Sequence, residues 1–203
     1  MHNPILTIGH SSHTIEAFIE LLKMHGVTAL ADVRSHPVSK HFPQFSKVAL
    51  VESLRSAGIA YVFLGKELGA RSLNPACYKN NKVQYELLAR ETLFQEGLQR
   101  VLQGADKFRI AMMCAEKDPL DCHRAILISR QLYSTGTAVS HILADGALEP
   151  HQDMECRMLE KYKIPIGGDM FRGPDECLKD AYAVHGEKIA YEDSRMMETE
   201  GEE

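Results

Sequence analysis

Five short apolar runs, separated by segments of helical period, constrain this chain more than any other feature of it. Pro4 to Gly9 (PILTIG) is a β-branched run closed by glycine, histidine and two serines, the pattern of a buried strand followed by a turn. Ile15, Phe18, Ile19 and Leu22 then recur at the spacing of one helical face until Gly26, so a helix is expected over 14–25. Thr28 to Arg34 (TALADVR), Ile59 to Leu64 (IAYVFL), Phe108 to Cys114 and Ala138 to Leu143 (AVSHIL) are the other four runs. Between them, Ser46 is placed to cap a helix carrying Leu50, Val51 and Leu54. Residues 83–103 read as one long helix, and Ala125, Ile126, Ser129, Leu132 and Tyr133 face one way in another that ends near Gly136. Parallel neighbours need crossover helices, so the alternation predicts a single α/β domain. It is a mostly parallel five-stranded sheet with helices on both faces, a Rossmann-like three-layer arrangement over residues 1–149.

Ligands of such sheets bind at the carboxyl ends of the strands. His10, Asp32, Arg34, Cys114 and Glu116 all fall there and are expected to meet at one edge. The densest chemistry lies in Arg109 to Tyr133, RIAMMCAEKDPLDCHRAILISRQLY, where an apolar run passes through a polar turn into a helical pattern. Asp118 followed by Pro119 fits an N-cap and first helical position, which puts Cys122, His123 and Arg124 in the second turn. With Asp121 as the cap they fall in the first turn, where free amides lower a thiol pKa. Both placements stay open from the sequence. Residues 35–45 (SHPVSKHFPQF) form an irregular loop in which Ser39, Lys40 and His41 suit a phosphate. His13 and His36 read as surface residues.

Bland readings compete with each of these. Cys114 closes an apolar strand, where cysteine usually serves as a small hydrophobe. Asp32 and Arg34, two apart on one strand face, also fit an internal ion pair. His10 also fits a cap on the first helix.

TIGHSSHTIEAF, LADVRSHPVSKHFPQF, GIAYVFLGKELGA and CAEKDPLDCHRAILI, in this order, resemble the motifs of the domain-of-unknown-function 488 family of small, mostly prokaryotic proteins, over roughly residues 4–146. The resemblance implies an α/β domain. It places Gly9, His10, Asp32, Arg34, Pro37, Ser39, Tyr61, Gly69, Cys114, Glu116, Cys122, His123 and Arg124 on motif positions, and it carries no activity or cofactor with it.

The 203 residues, 44% hydrophobic, suffice for one buried core. A net charge of -5 argues against general nucleic-acid binding and leaves room for a local anion site. Five cysteines, scattered and odd in number, fit a reducing cytoplasm rather than a disulfide scaffold. With no basic leader and no apolar run of membrane length, a cytoplasmic protein without membrane partners is expected. After Glu149, Met154, Met158, Leu159 and Tyr162 suggest one more helix in an extension over 150–189 packed on or beside the domain, and an acidic tail over 190–203 is expected to be disordered.

Three function classes fit these residues. The first is an enzyme acting on a small anionic substrate, phosphorylated, nucleotide-like or sulfur-bearing. Cys114 or Cys122 is its nucleophile, His123 or His10 activates the thiol, Glu116 stands beside them, and Asp32, Arg34, Ser39 and Arg124 bind substrate. Ten positions from Cys114 to Arg124, and two from Cys122, do not match a Cys-x5-Arg phosphatase loop. The second is a zinc or iron site on Cys114, Cys122 and His123, with His10 or Glu116 as a further ligand. The third is a non-catalytic ligand- or partner-binding module in which the same residues form a buried network.

Overall fold

The computed structural model describes residues 3–193. The first half runs β1 (Ile5–Gly9), α1 (Ile15–Met24), β2 (Ala29–Asp32), α2 (Lys47–Ser56), β3 (Ala60–Phe63), α3 (Gly65–Leu68) and a small hairpin, β4 (Tyr78–Lys79) and β5 (Lys82–Val83). The second half runs α4 (Tyr85–Leu88), α5 (Thr92–Ala105), β6 (Ile110–Cys114), α6 (Arg130–Ser134), β7 (Val139–Ile142), β8 (Leu148–Pro150), α7 (His151–Lys161) and α8 (Pro174–Ile189). The central sheet has the order β3-β2-β6-β1-β7-β8. Its first five strands are parallel, as the apolar runs predict, and β8 adds an antiparallel sixth at the edge.

Helices cover both faces. Leu6, Ile8, Leu30, Ala111 and Met113 point to one side and bury Phe18, Leu21 and Leu22 of α1 with Leu50 and Leu54 of α2. Ile5, Ala29, Ala31, Ile110 and Met112 point to the other, against Phe94, Leu98 and Val101 of α5 and Leu132 of α6. This alternation follows from the period-two geometry of strands buried on both faces. The chain therefore leaves β1 toward one face and the adjacent β6 toward the other. Diverging connections at the carboxyl ends of neighbouring parallel strands open a crevice between them.

Several expectations need correction. The helix over 83–103 is two: α4 ends at Leu88, Glu91 is extended, and α5 starts at Thr92. Ser46 sits at the cap of α2 but makes no capping bond; its Oγ accepts from the Ser39 amide at 3.2 Å and ties down the 35–45 loop. The segment after Arg124 winds as a π-helix to Ser129 before α6, its slack carbonyl at Arg124 taken by the Ser129 hydroxyl at 2.7 Å. The extension holds a second helix, α8. With α7 it packs Met154, Met158, Cys177, Ala181 and Tyr182 onto Leu120, Ala125 and Ile126, directly behind the polar turn. Cys177 is fully buried in that core. Of the segment expected to be disordered, residues 190–193 pair with the hairpin, through the Val83 amide to Tyr191 O at 3.0 Å and the Asp193 amide to Asn81 O at 2.8 Å. Residues 194–203 lie outside the described residues. No helix among the described residues is long and apolar enough to cross a membrane.

Candidate active site

Beyond its last residue β1 keeps tracking β6: the His10 amide donates to Cys114 O and the Ser11 amide to Ala115 O, both at 2.9 Å. To do so Ser11 adopts φ 45°, a left-handed conformation that L side chains rarely take and that clusters at functional sites. Gly9 is required in the same place. A Cβ there would lie 1.7 Å from the Glu116 carbonyl oxygen.

The polar turn resolves the capping question differently from either placement. Asp118 caps, but only a 3₁₀ turn over Pro119–Asp121, its carboxylate accepting from the Leu120 amide at 2.9 Å. Cys122 is then extended, and its carbonyl accepts from the Ala125 and Ile126 amides, so Cys122 opens the next helical segment. Its sulfur accepts from the Arg124 amide at 3.4 Å, the position a capping side chain takes.

His123 is held by its Nε2, which donates to Val33 O at 3.1 Å. That bond leaves Nδ1 to face two sulfurs, Cys114 Sγ at 3.6 Å and Cys122 Sγ at 3.9 Å. All three residues are buried. Burial pushes the Cys122 thiol up, but the hydrogen bond from Cys114, the Arg124 guanidinium and His123 outweigh it and hold Cys122 well below the usual thiol range. Cys114 goes the other way, raised by its hydrogen bond to Cys122 and by burial. For His123, burial favours the neutral ring, yet its interactions with Cys122 and Glu116 raise it above the ordinary imidazole value. The cluster thus favours the anionic form on Cys122 over that on Cys114, beside an imidazole held by its bond to Val33 O.

A cleft of about 680 Å³ opens over this cluster. Of the residues singled out in the sequence, His10, Arg34, Ser39, Cys114, Glu116 and His123 line it. Cys122, buried and within sulfur hydrogen-bond reach of the same imidazole, does not line it. Asp32 is fully buried under Arg34 and clasps it, Nε to Oδ1 at 2.9 Å and Nη2 to Oδ2 at 2.6 Å, while the Tyr61 hydroxyl donates to Oδ2 at 2.9 Å. Asp32 is therefore a holder of Arg34 rather than a substrate ligand. Arg34 keeps Nη1 without a protein partner among the described residues.

Arg124, expected to grip substrate, is fully buried and does something else. It donates from Nη1 to Glu116 O at 2.8 Å, from Nη2 to Lys117 O at 3.2 Å and from Nε to Thr7 Oγ1 at 3.3 Å. It fastens the 114–117 segment to β1.

His10 stacks on Phe45 with ring centroids 4.4 Å apart, and its Nδ1 meets Ser11 O at 3.0 Å, which fixes the proton on Nδ1 and leaves Nε2 an acceptor. Burial lowers its pKa to about 4, so the ring is neutral at pH 7. Glu116 sits at the mouth. Burial and the neighbouring Cys122 raise its carboxyl above the usual range, although much of its surface meets solvent.

The sequence did not point to Arg71, Lys117, Tyr85 or Tyr191, all of which line the cleft, and His36, read as surface, lines it too. Arg71 lies in the 65–81 connection with its guanidinium 4.3 Å from the centroid of the Tyr191 ring. That contact joins two irregular segments, which no periodicity reveals. Lys117 was legible only as a member of the polar turn.

No curated protein and no solved structure matches this chain. The family model for the domain of unknown function DUF488 matches residues 14–131, from the cap of α1 into α6. The matched stretch takes in Arg34, Cys114, Glu116, Cys122, His123 and Arg124, and leaves β1 with His10 outside it. The chain belongs to the DUF488 family.

Proposed function

We propose that this protein is an enzyme acting on a small anionic substrate, held in the cleft above Cys114 and His123. One observation carries the reading: Arg34, Arg71 and Lys117 line the same cleft as the thiol–imidazole cluster, with only Glu116 and Asp121 as acids on its walls. A guanidinium held from behind by a carboxylate is a preorganised anion ligand, since its geometry is set before substrate arrives. Arg34 takes that part, with Ser39 as a hydrogen-bonding neighbour, His10 Nε2 as an acceptor for a substrate or thiol proton, and Glu116 beside the reacting group. The chemistry is assigned to the Cys114, Cys122 and His123 cluster. The substrate class is a phosphorylated, nucleotide-like or sulfur-bearing small molecule, and a reducing cytoplasm suits the five free thiols.

Thermal unfolding in inorganic phosphate or adenosine monophosphate, against chloride of matched ionic strength, tests the binding half. A ligand at 100 times its Kd stabilises by about 2.7 kcal/mol, which raises the Tm of a chain this long by roughly 5–10 °C. Arg34→Gln and Arg71→Gln are expected to reduce that shift, whereas adenosine alone produces none. Equal shifts in wild type and both variants would remove the cleft from the account. Turnover of a panel of phosphomonoesters, nucleotides and thioesters tests the other half. Activity that survives Cys114→Ser and His123→Ala, or anion binding with no turnover, would favour a binding module instead.

A further inference from the structure

We infer that Cys114, Cys122 and His123 form a binding site for one divalent transition-metal ion, zinc by preference, with its fourth position open to the cleft. The three ligand atoms all lie within 4.8 Å of one another. A tetrahedral zinc with bonds of about 2.3 Å to sulfur and about 2.0–2.1 Å to nitrogen sets S···N edges of about 3.5–3.6 Å. Nδ1 lies 3.6 Å from Cys114 Sγ and 3.9 Å from Cys122 Sγ, so a few tenths of an ångström of closure brings the ligands onto that figure.

The surroundings fit the same conclusion. A metal-binding histidine fixes its ring by donating the other N–H to an acceptor, and here Nε2 donates to Val33 O. A metal thiolate accepts backbone amides, and Cys122 Sγ accepts from the Arg124 amide. Two soft sulfurs and one imidazole suit zinc rather than magnesium or calcium, which take oxygen. Three protein ligands and one free position are the pattern of a catalytic rather than a structural zinc. Cys114 and His123 line the cleft and the buried Cys122 does not, which assigns the free position to the cleft side, where Glu116 also lies. When bound, such an ion supplies Lewis acidity and an acidified water.

The inference concerns the same cleft and rests on reading it as an active site, but metal content is measured without substrate, so the two can fail separately. The full chain, purified from zinc-supplemented medium, is expected to carry about one zinc per chain by mass spectrometry. Stripped and reloaded with cobalt(II), it should show a thiolate-to-cobalt charge-transfer band that vanishes with excess zinc. Cys122→Ser and His123→Ala are expected to lower retained zinc at least tenfold, and Cys156→Ser to leave it unchanged. Because the wild-type cobalt spectrum needs no variant, a variant that misfolds does not decide the matter. Wild-type protein that holds no stoichiometric zinc and gives no cobalt band would overturn the proposal. So would a Cys114–Cys122 disulfide, seen as two fewer thiols on titration of the denatured chain. Phosphate stabilisation retained in such metal-free protein would leave the cleft as a substrate site and remove only the ion.

Discussion

Gly9→Ala is expected to destabilise the fold by at least about 3 kcal/mol, because insertion into a packed site with backbone on the far side lies at the upper end of overpacking costs. The added methyl would sit 1.7 Å from Glu116 O and 2.8 Å from Glu116 C, with Arg124 Nη1 at 3.3 Å. None of these is the free end of a flexible side chain, since Arg124 is itself pinned to that carbonyl. Relief requires moving the 114–117 segment off β1, which also parts the Ser11–Ala115 pairing and shifts Cys114 against His123. A fall in Tm of roughly 6–12 °C follows at 2–4 °C per kcal/mol. Gly167→Ala is the control: nothing lies within 4 Å of its Cβ, and its Tm should be unchanged within error. Equal Tm values for the two variants, measured by calorimetry, would show that the close approach of β1 to the Glu116 carbonyl is wrong.

Arg124→Met is the second large effect. Methionine fills much of the volume but donates nothing, so Glu116 O and Lys117 O lose their donors and Cys122 loses the positive neighbour that holds its pKa down. Two part-buried carbonyls and the buried Thr7 hydroxyl lose a charged donor, at about 1–3 kcal/mol each, giving about 3 kcal/mol or more in total. The loss should be local as well as global. Hydrogen exchange at the Ser11 amide, which donates to Ala115 O, is expected to speed up well beyond that of the β2–β3 amides. Thr7→Val takes one partner each from the buried Arg124 Nε and His141 Nδ1 while leaving both backbone carbonyls their donors, and should cost about 2 kcal/mol. Arg124→Met at wild-type stability, with anion binding lost, would instead restore Arg124 as a substrate ligand.

The sequence made the sheet legible because its five parallel strands are short apolar runs bounded by turn residues, four of them largely buried and only the edge strand β3 half exposed. It hid β8, three residues of which one is proline and one glutamate, since a short edge strand needs no apolar run. It hid the break between α4 and α5, where no glycine or proline marks the turn at Glu91. The start of α8 was readable after all: Gly173, Pro174 at the first position and Glu176, whose carboxylate accepts from the Gly173 amide at 2.9 Å, are start signals. What obscured the helix was its buried face. Tyr182 and His185 are buried by hydrogen bonding, Tyr182 to Glu155 at 2.8 Å and His185 to Leu120 O at 2.7 Å, so the face carries no simple apolar stripe.

At the site, the strand ends that should converge were predictable from topology, and His10, Arg34, Cys114 and Glu116 do line one cleft. Which side chains are ligands and which are props was not. Asp32 and Arg124 have the residue types of a recognition pair, yet one is spent on Arg34 and the other on two backbone carbonyls. Only the path of the 114–117 segment decides that, and a bond to a carbonyl leaves no mark in a one-dimensional pattern.

Crystals of the wild-type chain soaked in selenate would test the central claim most directly, because the anomalous signal of selenium locates the anion without reference to any enzymatic assay. The account predicts a site in the cleft with a selenate oxygen in hydrogen-bond reach of Arg34 Nη1, on the side that Cys114 and His123 share. Selenate bound only outside the cleft, or an empty cleft in a protein that takes up the anion elsewhere, would contradict it.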